Sequence, residues 1–168
     1  VLTSSNNGNS NALSSWAGHD GYAPVNAFDA DLSTLWENQN DAVPDNLVYD
    51  FGSPQIVEGY SIQGYAPWCG DSPRAWTFEG SDSGTDGSWS ALDTQIGVAQ
   101  DCSLSTDVMF LEPATYRFFR FQVTEAGAAG GNPTNIAEAK ICGPLGPVPA
   151  RPEVASPVGD VSCAKWQK

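Results

Sequence analysis

At 168 residues the chain has the length of one domain, or of one domain with a tail, and can bury a self-sufficient core. Twenty acidic residues against seven basic ones leave a net charge of −13, and no basic stripe exists to neutralise phosphates. Nucleic acid and anionic membrane surfaces are therefore poor partners. No apolar run approaches the roughly 18 residues of a membrane span, so membrane insertion is not expected.

The chain starts at Val1, as a mature protein would after loss of a targeting segment, although a piece of a longer chain would start so too. Secretion, or residence in an organelle lumen, is expected. "SSWAGHDGY" (14–22) reads as a loop that carries Trp16 among glycine and polar residues. "NAFDADLSTLW" (26–36) then packs two aspartates, a serine and a threonine into a tight turn before a tryptophan. A hard cation such as calcium takes six to eight oxygens, and such a turn supplies carboxylates, hydroxyls and carbonyls together. It lacks the spacing of an EF-hand. An aspartate-capped turn bonded to its own backbone would show the same composition, so the residues alone leave both readings open.

Short runs rich in β-branched and aromatic residues follow: 46–51, 56–63, 76–81, 107–112, 116–124 and 136–142. In "YRFFRFQVT" (116–124) the alternation puts Arg117, Phe119, Phe121 and Val123 on one face, of which Phe119, Phe121 and Val123 should be core. Tyr116, Phe118, Arg120, Gln122 and Thr124 share the other face. Turn signals at "FGSP", "SDSGTDGS" and "LEPAT" favour an antiparallel sandwich over alternating strands and helices. Between two of the runs, "APWCGDSPR" (66–74) is a second loop with a tryptophan, Trp68; Trp76 and Trp89 read as core. After "ICGP" (141–144) repeated prolines replace alternation, so 1–143 should be the globular domain and 144–168 an extended tail.

Cys69, Cys102, Cys142 and Cys163 have no metal-type spacing, and His19 is the one histidine. An even count reads as two disulfides with three possible connectivities. Cys69 with Cys102 and Cys142 with Cys163 is the favoured one, because the second bridge would pin the tail; four reduced cysteines is the other reading. No nucleophile elbow, metal-binding histidine pair or phosphate loop is present, so no catalytic residues are assigned and the chain is not expected to be an enzyme.

Five collinear stretches, "NAFDADLSTLW", 47–65, 72–94, 116–124 and 135–143, together resemble discoidin domains, also called coagulation factor 5/8 type C domains, and the similar family 32 carbohydrate-binding modules. The resemblance covers roughly residues 10–143. It implies an all-β, eight-stranded antiparallel jelly-roll sandwich, galactose-binding domain-like, with a structural calcium where the early turn meets the last strand. The ligands would be the carbonyls of Asn26 and Asp31, the Asp29 side chain, the Thr34 hydroxyl and carbonyl, the Ala137 carbonyl and the Glu138 side chain. Ala30 stands where the family usually has glycine, which would strain the turn if that position needs φ > 0. In the same motif Trp36 packs in the core beneath the turn.

Sugar-binding relatives use loops at one end of the sandwich. Here those loops would offer Trp16, His19 and Asp20, then Glu37, Asn38 and Asn40, then Trp68, Asp71 and Arg74, with Asn132 from the loop 125–135. A tryptophan face with amide and charged neighbours is suited to a sugar. Arg74 could instead pair with Asp71 at the surface. Tyr65 replaces the arginine that usually follows "IQG", which speaks against galactose. Two functions follow: a secreted, non-catalytic module that recognises a glycan or glycoprotein, or a structural or adhesive subunit of a larger extracellular or organelle-lumen assembly that grips protein partners with the same sandwich, the proline-rich tail 144–168 being a further candidate contact.

Overall fold

The sandwich is organised by two long strands that each serve both of its layers. In the computed structural model, which describes residues 3–4, 12–14, 21–38, 43–99, 101–127 and 133–144, β1 (Thr3–Ser4), β2 (Ala12–Ser14) and β3 (Trp36–Glu37) precede β4 (Asp45–Gln63). Then come β5 (Pro73–Ser81), β6 (Ser90–Gln95), β7 (Thr106–Ala126), β8 (Asn135–Ile136) and β9 (Glu138–Cys142). Runs that read as separate strands, 46–51 with 56–63 and 107–112 with 116–124, are the halves of β4 and β7. The antiparallel β4–β7 register shifts between Asp50 and Gln55, where Gly52 takes φ +75, a conformation that costs glycine little.

The first half of β4 lies between β2 and the second half of β7, which continues to β5 and β6. The second half of β4 lies between the first half of β7 and β9. Five strand passes in one layer and three in the other make the eight-stranded sandwich, with β1 on the margin of β2 and the pair β3–β8 at one end. The layers meet face to face: Tyr60, Ile62 and Ile141 from one pack with Leu47, Trp76, Phe78, Phe119, Phe121 and Val123 from the other. The Tyr60 and Phe78 rings stack with centroids 4.5 Å apart.

Within this core the Trp76 indole N–H donates to the Tyr60 hydroxyl at 2.8 Å, which donates to Asp93 at 2.6 Å. Burial, then the bond to Asp93, hold that hydroxyl protonated far above a phenol's usual range. Phe119, Phe121 and Val123 are fully buried as their alternation requires. The phase breaks before them: Tyr116 packs against the core, while Arg117 turns outward to form a bidentate ion pair with Asp50 at 2.7–2.8 Å, because of the register shift beside them. Trp36 and Trp76 are core. Trp89 is not: it is half-buried, with the Arg120 guanidinium 4.2 Å over its ring.

Cys69 and Cys102 are bonded, with Cα atoms 5.7 Å apart. Cys142 is disulfide-bonded as well; Cys163, the partner expected for it, lies outside the described residues with the rest of 145–168. Among the described residues no helix is long and apolar enough to cross a membrane.

Candidate functional site: an oxygen-rich turn and an aromatic loop end

The turn at 26–36 is a 3-10 helix, Pro24–Phe28, followed by a loop folded onto its own oxygens. The Asn26 amide ties the two ends together, donating to the carbonyls of Gly21 at 2.9 Å and Leu35 at 3.0 Å. Asp29 accepts from the Asp31 N–H with one carboxylate oxygen and from the Thr34 hydroxyl with the other, at 2.9 and 2.8 Å. The Thr34 hydroxyl also lies 2.9 Å from the Asp31 carbonyl and 3.5 Å from the Asn26 carbonyl. From β9, Glu138 accepts from the Ala30 N–H at 3.0 Å, and its neighbour Ala137 is pinned through its own N–H to the Gln63 carbonyl at 2.9 Å. The Asp31 side chain turns away to accept from the Ser33 hydroxyl and N–H, bonds that hold its carboxyl below the usual aspartate range.

Asn26, Asp29, Asp31, Thr34 and Glu138 thus converge across about 110 residues of chain. A threonine hydroxyl carries one proton, yet three acceptor oxygens surround that of Thr34. Such an excess of acceptors is the donor chemistry a hard cation takes. Among the described residues no group of three or more His, Cys, Asp or Glu side chains is placed to hold a metal; this set has two carboxylates, and its other oxygens are carbonyls and a hydroxyl. Ala30 has φ +63, so the position does take the left-handed conformation.

A second concentration of functional groups sits at the end of the sandwich where β3 pairs β8. The Trp68 ring, 43% exposed, meets Tyr22 edge-on at 5.9 Å and 82° and Tyr65 at 5.4 Å and 74°. Trp68 interrupts the 3-10 segment Ala66–Asp71 with non-helical φ −125 and ψ 45, and buried Asn135 fixes it there. The Asn135 amide donates to the Trp68 carbonyl at 3.1 Å and its side-chain oxygen accepts from the Tyr65 N–H at 3.2 Å. The adjacent Cys69–Cys102 bridge anchors the same segment.

Other predicted residues gather around this ring. Glu37 is half-buried and lies opposite Asn135 in the β3–β8 register, with its N–H on the Tyr22 carbonyl at 3.3 Å. Asp71 closes the 3-10 segment of Trp68. Arg74 is exposed and its guanidinium reaches the Gly127 carbonyl at 3.4 Å. A Cβ at Gly127 would fall 2.1 Å from the Gly70 carbonyl, so only glycine lets the two loops approach this closely. Asn38 is a correction: it is 2% exposed, its side-chain oxygen accepts from the Thr134 N–H at 2.6 Å, and it braces the loop from below instead of facing a ligand. Trp16, His19, Asp20, Asn40 and Asn132 lie outside the described residues.

The sequence pattern of the F5/8 type C domain matches residues 3–139. The chain belongs to the F5/8 type C domain family. No curated protein sequence matches it. Among solved structures, this F5/8 type C domain is similar to chitosan-binding module 1 of a chitosanase/glucanase from Paenibacillus sp. IK-5, with TM-score 0.67 and 22% identity over 79% of this chain and 93% of that one. It is also similar to module 2 of that enzyme in complex with chitotriose, at TM-score 0.65 and 17% identity over 77% and 93% of the two chains. The family 32 module of NanJ from C. perfringens, in complex with galactose, gives TM-score 0.65 and 17% identity over 77% and 90%.

Tyr22 and Asn135 are the parts of this F5/8 type C domain's loop end that sequence reading missed. Asn135 opens the "NIAEAK" stretch and reads as strand, and only the β3–β8 pairing brings it beneath Trp68. Tyr22 follows a loop whose aromatic signal is carried by Trp16, and nothing in the spacing relates it to a residue 46 positions later.

Proposed function

We propose that this domain is a non-catalytic glycan-binding module, secreted or lumenal, that holds its ligand at the loop end through Trp68. The observation that carries the reading is the half-exposed Trp68 ring, held edge-on by Tyr22 and Tyr65 and fixed from beneath by Asn135. An indole face covers the apolar C–H face of a pyranose, while Arg74, Asp71 and Glu37 stand at its margin for hydroxyl groups. Because Asn135 and the Cys69–Cys102 bridge order the segment before any ligand arrives, little side-chain entropy remains to be lost on binding. The chitosan, chitotriose and galactose named for the similar structures support the ligand class. The bonded state of Cys69, Cys102 and Cys142 fits an oxidising compartment.

Calcium belongs to the same proposal as a structural ion. Asn26, Asp29, Asp31, Thr34, Ala137 and Glu138 would hold it, and when bound it would supply positive charge to balance their crowded oxygens. The residues themselves fasten the turn to β9 through Glu138 and seat Trp36 beneath it.

A glycan-array screen of the full chain in calcium, repeated with Trp68→Ala, tests the reading. Binding to a defined glycan should fall about 30-fold or more in the variant, the scale of a central aromatic contact, with the melting temperature kept. Array binding that Trp68→Ala leaves untouched refutes the site, and a folded, calcium-loaded chain that binds no glycan refutes the function.

A further inference from the structure

We infer that the outer face of the three-stranded layer, away from the glycan site, is the docking face of the chain's own segment 164–168, with Trp166 seated on Met109. Three observations carry this. The first is an anchor. Cys142 is disulfide-bonded, Cys69 and Cys102 are bonded to each other, and the chain has four cysteines, so the partner of Cys142 is Cys163. On β9 Ile141 packs into the core, so its neighbour Cys142 takes the opposite, outer face. Cys142 is fully buried although it points away from the core, and the chain beyond Cys163 starts from this face.

The second is the row that runs from this anchor. Gly59 of β4 is paired with Cys142 on one side and with Met109 of β7 on the other. A Cβ at Gly59 would meet the Met109 sulfur at 2.8 Å, so the thioether folds back over Gly59 toward Cys142. Val108 and Phe110 pack against the core, which leaves Met109 and Leu111 facing outward. Met109 is 47% exposed and Leu111 fully exposed, with Ile56 of the adjoining β4 exposed as well. Two strand spacings, about 10 Å, separate Met109 from Cys142. Three residues of extended chain also span about 10 Å, and the third residue after Cys163 is Trp166. An indole against a thioether is a favourable contact.

The third is charge. The next row across the layer carries Asp107 on β7, Ser61 on β4 and Lys140 on β9, and Glu112 is exposed further along β7. Lys165 and Lys168 stand either side of Trp166. They are repelled by Lys140 and attracted to the acidic β7 edge, the direction that carries the indole over Met109. A second copy of the chain, at −13, is repelled from the same face.

Met109 is the one methionine of the chain, so isotope labelling of the methionine methyl gives a single NMR signal from this face. In the full chain that signal should be shifted upfield by the indole ring current. Trp166→Ala should return it toward the position of free methionine, while Trp166→Phe keeps part of the shift and Trp68→Ala, at the other site, keeps all of it. Hydrogen peroxide should convert Met109 to its sulfoxide several-fold faster in Trp166→Ala than in the full chain. Cys142→Ser combined with Cys163→Ser releases the anchor and should give the same two changes, with the circular dichroism of the sheet kept. A methionine signal at the free position in the full chain, or one that Trp166→Ala leaves unmoved, overturns the inference. So does a signal that moves with protein concentration while sedimentation shows a dimer, because a second copy then covers the face.

Discussion

Replacing Ala30 by glycine should make this domain more stable. Ala30 has φ +63 in the turn that Glu138 closes, and the left-handed region costs a residue with a Cβ about 1–2 kcal/mol. Glycine removes that cost but enlarges the unfolded ensemble, by about 0.4–1 kcal/mol for an Ala/Gly exchange. The Ala30 methyl is exposed, so no packing is lost, and the N–H that donates to Glu138 is kept. The difference is a net gain of about 0.5–1 kcal/mol, or roughly 1–4 °C in melting temperature for a domain of this size. Scanning calorimetry at fixed, saturating calcium measures it, with Ala30→Val as the opposite arm, because a β-branched side chain is worse still at positive φ. An unchanged or lower melting temperature in Ala30→Gly, with Ala30→Val neutral, would refute the claim that this turn is held in a strained conformation.

Calcium at about 100 times its dissociation constant should stabilise the chain by about 2.7 kcal/mol, read as a rise of roughly 5–10 °C over the chelated protein; Glu138→Gln should flatten that titration. Replacing Cys69 and Cys102 together by serine opens a loop of 33 residues, for which the chain-entropy account gives about 3–4 kcal/mol of lost stability. The same change should weaken glycan binding, because the anchor beside Trp68 goes with it. The Asp50 carboxyl is held below its usual range, first by its hydrogen bond from Arg117. A depressed folded-state pKa contributes stability above the ordinary aspartate value, near pH 4, and loses it as pH falls through the folded one. Asp50→Asn should therefore remove a small part of the stability at neutral pH and shrink the loss on acidification, as followed by urea melts from pH 6 to 2.

Legibility in the sequence tracked the range of the interaction. Alternation is local, so the buried set Phe119, Phe121 and Val123 could be read directly. The slip at Tyr116 and Arg117 could not, because it follows from a register shift against a strand some 60 residues earlier. Trp89 read as core from its alternation with polar neighbours at a strand start, yet a tryptophan can bury one face under an arginine on the outside of a sheet, as it does beneath Arg120. The oxygen-rich turn was legible because its oxygens lie within nine residues, and Glu138 entered only through family resemblance. At the loop end Trp68 was visible as an aromatic among turn residues. Tyr22 and Asn135 were not, since tertiary contacts alone define them, and Asn38 has the composition of a ligand residue while serving as a buried brace.

The most direct test of the central claim is an NMR titration of the full chain, following the tryptophan indole N–H signals as the glycan selected on the array is added. The account predicts a saturable shift of Trp68, with Trp36 and Trp76, both fully buried, left in place. Movement of Trp36 with a silent Trp68, or no movement at all while the glycan is bound, would contradict it.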